Sequence, residues 1–139
     1  MGVQFNTSES SDLNSEYPKV MVMPNQYGFG GIDTFMAISS ATTNEEFLKK
    51  GGGSFYGISL TNTGTTDVFV RIFNKASIPV SADTPIATFA LQADSVNNFF
   101  LPVPLGVKLG LGINMTGAAT IGDTTAISSN QVVGSIWFR

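Results

Sequence analysis

Neither cysteine nor histidine occurs in the 139 residues. That excludes disulfides, thiolate and imidazole metal ligands, Cys–His nucleophiles and Ser–His–Asp triads. Without cysteine the redox compartment cannot be read either. Charge is scarce as well: charged residues make up 12% of the chain, against about 25% in an average protein. Seven Lys and Arg stand against ten Asp and Glu, a net charge of -3. Such a chain has little reason to seek nucleic acid or an anionic membrane, and neither is expected as a partner. Long apolar runs are missing. The stretch 89–107 is interrupted by Asp94, Asn97, Asn98, Pro102 and Pro104, whereas a membrane span needs roughly 20 apolar residues in a row. The opening MGVQFNTSESSDLNSEY lacks the apolar stretch of a secretory signal, and none is expected.

What is present fits one domain. An apolar content of 42% is near the globular average, and the length suffices for a core without staples. Charge is unevenly spread. Residues 1–46 hold six acids against Lys19 alone, and residues 47–139 hold six basic residues against four acids. Residues 1–16 are rich in Ser, Asn and Glu and poor in large apolar groups. They read as a flexible N-terminal arm that orders on a partner, with residues 17–139 as the folded domain.

The folded part is read from its periodicity. Lys19–Met23 is a short apolar run closed by Pro24, hence a strand, followed by a Gly- and aromatic-rich turn over 26–31. A second strand is expected over 32–41. Thr43–Lys50 has a cap at Thr43 or Asn44, acids early and lysines late, which predicts a short helix ended by Gly51-Gly52-Gly53. Period-two segments then follow one another. Ser54–Asn62 places Tyr56, Ile58 and Leu60 on one face. Val68–Phe73 and Ile86–Leu91 are the next strands. Val96–Leu101 is expected to stop at Pro102, with a bend at 104–106. Lys108–Thr116 aligns Leu109, Leu111, Ile113 and Met115. A loop of small residues fills 117–129, and Gln131–Phe138 opposes Val132, Ile136 and Phe138 to Val133, Ser135 and Trp137. Six strands from residue 54 and two before it predict an all-β antiparallel sandwich of about eight strands, jelly-roll or Ig-like.

Candidate chemistry is sparse. Glu45 and Glu46 are neighbours that point apart on a helix, so they share no site. Asp67 and Asp123 sit in turns, where Asp is expected to bond local backbone. Gly28–Gly31 and Gly51–Gly53 lack the Lys and Ser/Thr of a phosphate loop. Residues 121–125 hold one carboxylate, too few for calcium. Asn6 and Asn114 match glycosylation acceptors, a pattern common by chance. No catalytic, cofactor-binding or metal-ligating residue is assigned, no cofactor is expected, and the protein is not read as an enzyme. Gly110 and Gly112 are expected to make room for a bulky neighbour such as Trp137 or for another chain. Surface character is the remaining signal. Phe69, Phe73, Phe99, Phe100 and Trp137 fall opposite the presumed core with few charges between them. That reads as a sheet face covered by another protein, unless the faces are reversed and several of these residues are core.

The segments Leu60-Thr-Asn-Thr-Gly64, Val70–Ala76, Thr84-Pro85 with Phe89–Leu91, Pro104–Ile113, Thr116–Ala119 and Asp123–Ala126 together resemble a small β-protein of tailed-bacteriophage virions. Phe73 stands where many of that group have Tyr. The resemblance covers residues 54–139 and rests on turn and packing residues. It implies a non-enzymatic virion structural protein, foremost a capsid decoration, or cement, protein on the outer shell. The partners implied are the major capsid protein or neighbouring virion proteins, with self-association as a homo-oligomer, a trimer being the form shell symmetry favours. A tail, neck or fibre component is the alternative, and a carbohydrate-binding sandwich using Tyr27 and Trp137 a further one.

Overall fold

A computed structural model describes residues 31–139. The arm expected over 1–16, the strand over 19–23 and nearly all of the turn from Gln26 lie outside the described residues. The unit Asp33–Arg139 consists of eight strands: β1 (Asp33–Ile38), β2 (Glu46–Lys50), β3 (Gly53–Asn62), β4 (Val68–Asn74), β5 (Ala87–Leu91), β6 (Ser95–Val107), β7 (Gly110–Thr116) and β8 (Val132–Phe138). Two four-stranded sheets form, ordered β1-β8-β3-β6 and β2-β7-β4-β5. The chain pairs as one long hairpin folded at the β4–β5 connection: β4 with β5, β3 with β6, β2 with β7 and β1 with β8, all antiparallel. That hairpin is rolled so that β3 also meets β8 and β4 also meets β7. This is the jelly roll, and its strand order rules out the Ig-like alternative.

Alternation explains most of the core. Phe55, Ile58 and Leu60 of β3, Val70 and Ile72 of β4, Leu111 and Ile113 of β7, and Val132 and Ile136 of β8 are buried between the sheets. Each such side chain contributes about 1.5–3 kcal/mol by burial. Phe35, Phe89 and Phe99 pack on the margin of this cluster. The outer face of the β2 sheet is also buried at Arg71, Phe73, Asn114 and Thr116, so β4 and β7 are covered on both sides.

Four expectations are corrected. The segment expected as a helix, Thr43–Lys50, contains β2 instead, over Glu46–Lys50. Asn44 takes a positive φ of 53° and its side chain bonds the backbone of Ser40 and Thr42, which makes a loop of the expected cap. Pairing with β7, including a bulge after Phe47, then outweighs two turns of helix propensity. Secondly, β6 does not stop at Pro102. It continues through Pro102 and Pro104 to Val107. It is an edge strand, and its register with β3 jumps from Phe100 to Leu105, so the prolines fall where no ladder amide is needed. Thirdly, Tyr56 does not share the face of Ile58. A bulge between Phe55 and Gly57 shifts the phase, and Phe55 takes the core position. Finally, Gly110 and Gly112 make no room for Trp137, which lies on the other sheet. A Cβ on Gly112 would meet Pro79 Cδ at 2.7 Å, and one on Gly110 would run into the Lys75 carbonyl oxygen.

Residues that carry the sequence resemblance turn out to lock loops. Buried Asn62 accepts from the Gly64 amide and donates to the carbonyls of Thr66 and Leu91. Asn74 Oδ1 accepts from the amides of Lys108 and Leu109. Arg71 donates to Thr116 Oγ1 at 2.5 Å and to the carbonyls of Ala118 and Thr120 at 2.6 and 2.9 Å.

Candidate interaction surface

The two outer sheet faces are finished differently. On the β2 sheet, the chain's own loops lie over the strands. The β4–β5 connection sets Pro79 against Gly112 and is closed by Asp83, which accepts from Lys75 Nζ at 2.6 Å and from the Val80 amide at 2.8 Å. The β7–β8 connection is clasped by Arg71 as described. Asp123 holds that second loop by accepting from the amides of Ala118 and Thr125 and from the Thr125 hydroxyl. Burial works to raise the Asp123 pKa. The hydrogen bonds from the Thr125 and Thr116 side chains and from the backbone outweigh it and hold the carboxyl below its ordinary value. The hydrogen bond from Lys75 is the main reason that Asp83 is also held low. Burial draws the Arg71 pKa down, and nearby Asp123 opposes that shift.

The outer face of the β1 sheet has no such cover among the described residues. Register places its outward side chains in three rows across β1, β8, β3 and β6. The first is Thr34, Trp137, Gly57, Phe100. The second is Met36, Ser135, Ser59, Asn98. The third is Ile38, Val133, Thr61, Val96. None of these residues is charged. Met36, Ile38, Val96 and Phe100 are exposed at 59%, 57%, 64% and 62%. Water-facing sheet faces normally alternate apolar-in with polar-out. Here Met36, Ile38, Val96 and Phe100 at the margins and Trp137 and Val133 between them are apolar, and the polar positions Thr34, Ser135, Ser59, Asn98 and Thr61 are all neutral. A surface without charge that exposes aromatic and Met side chains has two compositional marks of a protein–protein contact core.

The aromatics singled out from sequence separate into groups. Phe100 and Trp137 are on this open face, with ring centroids 5.4 Å apart. Phe99 faces inward against Phe89, at 5.3 Å. Phe73 is buried, and Phe69 is half-buried on the β2 sheet. Alternation in β8 correctly separates Trp137 from Ile136 and Phe138. Met36, Ile38 and Val96 escape a sequence reading because face cannot be told from core without the register. Of the two turn carboxylates, Asp123 serves its own loop as expected, whereas Asp67 accepts from the distant Ala93 amide and so ties the β3–β4 connection to the β5–β6 turn.

No protein-family model matches the chain, and no curated protein does. Among solved structures, the coat protein of Tobacco streak virus is similar, at 12% sequence identity and a TM-score of 0.38, over 79% of this chain and 85% of that chain. At that score the fold assignment stands on the strand order itself.

Proposed function

We propose that this is a virion structural protein, in the role of a capsid decoration protein that lays the open face of its β1 sheet on the outer shell and adds contacts between neighbouring major capsid subunits. The observation that carries the reading is the three-row outer face without a charge, beside a second face closed by the protein's own loops. A neutral face binds by apolar burial and shape and is little affected by ionic strength. The jelly roll is a scaffold of capsid domains, shared with lectins and cupins, so it agrees with the proposal without deciding it. The sequence resemblance to small virion β-proteins points the same way. The polar residues 1–16 are assigned as an arm of the assembly, on composition.

Counting copies in purified particles by quantitative mass spectrometry tests the placement. Hundreds of copies are expected for shell decoration. A few to a few dozen would move the protein to the tail or neck, and none would end the virion reading. The exposed Phe100–Trp137 pair favours one further reading, an aromatic platform for sugar rings. A glycan array bound through these two residues, with no binding to particles, would select it.

A further inference from the structure

The four sheet edges formed by the described residues are not equally protected. β6 carries Pro102 and Pro104 and a break in register. β2 carries Glu46, Lys49 and Lys50 and a bulge. β5 is entered just past Pro85, turns only Thr88 and Ala90 outward, and has Phe89 drawn to Phe99 of β6 at 5.3 Å. Prolines, charges and bulges are the devices that stop strands from adding to an edge. β1 has almost none of them. It contains no proline, no basic residue and no bulge, its one charge is Asp33 at its first position, and it turns Met36 and Ile38 to the exposed face. Among the described residues it pairs with β8 alone.

The phase of its hydrogen bonds is fixed. The Ser39 amide donates to the Val132 carbonyl at 2.9 Å. In an antiparallel ladder alternate residues bond the same neighbour, so Phe35 and Ala37 bond β8. Thr34, Met36 and Ile38 therefore direct their amides and carbonyls away from the sheet.

We propose that β1 is a self-association edge, and that a second copy of this chain joins it, β1 against β1, antiparallel about a two-fold axis at Met36. In that register Met36 lies opposite Met36 of the second copy and Thr34 opposite Ile38. All three outward residues are used, for about six backbone hydrogen bonds. On the inner side Phe35 lies opposite Ala37, large against small. Asp33 lies opposite Ser39, so no like charges meet. The two four-stranded sheets become one continuous sheet with a doubled neutral face. An edge this short buries less than the ~1,200 Å2 of a standard interface, so the dimer is weak and concentration-dependent. An antiparallel pair of identical strands closes on itself, which gives a dimer in place of the trimer that shell symmetry favours. The proposal stands on the edge and not on the virion reading.

Sedimentation equilibrium of the full chain from about 1 to 200 μM tests it across the range where weak contacts respond. A monomer–dimer equilibrium is expected, with amide exchange at Thr34 and Ile38 slowing as concentration rises. Met36→Pro removes one outward amide and leaves the β1–β8 ladder whole. It should weaken dimerisation at least tenfold with unchanged circular dichroism. Met36→Lys sets two ammonium groups at the axis and should do the same, with partial recovery in salt; it carries the test if the proline variant fails to fold. A monomer throughout, a trimer, or a dimer that survives the folded variants would overturn the proposal.

Discussion

Phe100 and Trp137 sit on strands separated by β3, yet their rings meet across it because Gly57, paired with both, has no side chain between them. A Cβ at Gly57 would run into the Phe99 carbonyl oxygen and come within 3.1 Å of Phe100 Cδ1. The first clash is with backbone and cannot be relieved by a rotamer change. Gly57→Ala is therefore expected to lower stability by about 1–3 kcal/mol, as overpacking does. It should also shift the environment of the single tryptophan. Urea unfolding followed by Trp137 fluorescence checks both, and an unchanged midpoint would refute the close approach.

How legible this is depends on what each residue competes against. Leu111, Ile113 and Met115 alternate with small residues, and nothing local opposes the strand, so β7 is readable over Gly110–Thr116, although the expected start at Lys108 is two residues early and Leu109 lies exposed before the strand instead of on its core face. Thr43–Lys50 carries real helix signals, and only pairing with β7 overrules them. Pro102 reads as a stop because sequence does not show that β6 is an edge. Alternation misplaces Tyr56 because a bulge shifts phase without leaving a residue signature. The open face is legible only in part. Trp137 follows from alternation in β8, while assembling Met36, Ile38, Val96 and Phe100 around it needs the register of four strands.

Arg71 is buried on the outer side of β4 and holds Thr116, Ala118 and Thr120. Arg71→Met keeps length and apolar packing but orphans two carbonyls and a hydroxyl. A loss of about 3 kcal/mol is expected, from charge-assisted bonds removed under cover. Limited proteolysis should then cut within 117–126 before the strands yield. A variant that melts like the parent and resists cleavage there would show that the loop is held by other contacts.

Acid should loosen both the β4–β5 and the β7–β8 connections. The folded pKa values of Asp83 and Asp123 lie below their ordinary range, the first chiefly through the Lys75 hydrogen bond, the second because hydrogen bonds outweigh burial. A carboxylate held low stabilises the fold above its unfolded pKa of about 3.9, and that contribution is lost as pH falls through the folded value. There is no histidine to titrate nearer neutrality. Thermal melting should be flat from about pH 5 to 8 and fall below about pH 4. Asp123→Asn should lower the plateau and shallow the acid slope.

β8 lies between β1 and β3 and buries Ile136 and Phe138. It is an interior strand, so removing residues 136–139 strips partners from both neighbours. Losing two such side chains costs well over the roughly 3–5 kcal/mol of one aromatic truncation. The truncated chain should be unfolded by circular dichroism at room temperature. A folded truncation that fails only to assemble would mean that β1 and β3 close up without β8.

Charges placed on the open face should separate folding from docking. Val96→Glu and Phe100→Asp lie on β6, across the sheet from the β1 edge, so they leave the proposed dimer edge alone. Both side chains are exposed, and the second substitution breaks the ring pair of Phe100 with Trp137. Stability should drop by about 0.5–1.5 kcal/mol, the worth of one aromatic pair. Binding to particles lacking the protein should fall far more, because two carboxylates would be desolvated against a neutral partner. Co-sedimentation with such particles, at matched concentrations of parent and double variant, measures the difference. Equal binding by the folded double variant would remove the β1 sheet face from the proposed docking surface and leave the loops as the place to look.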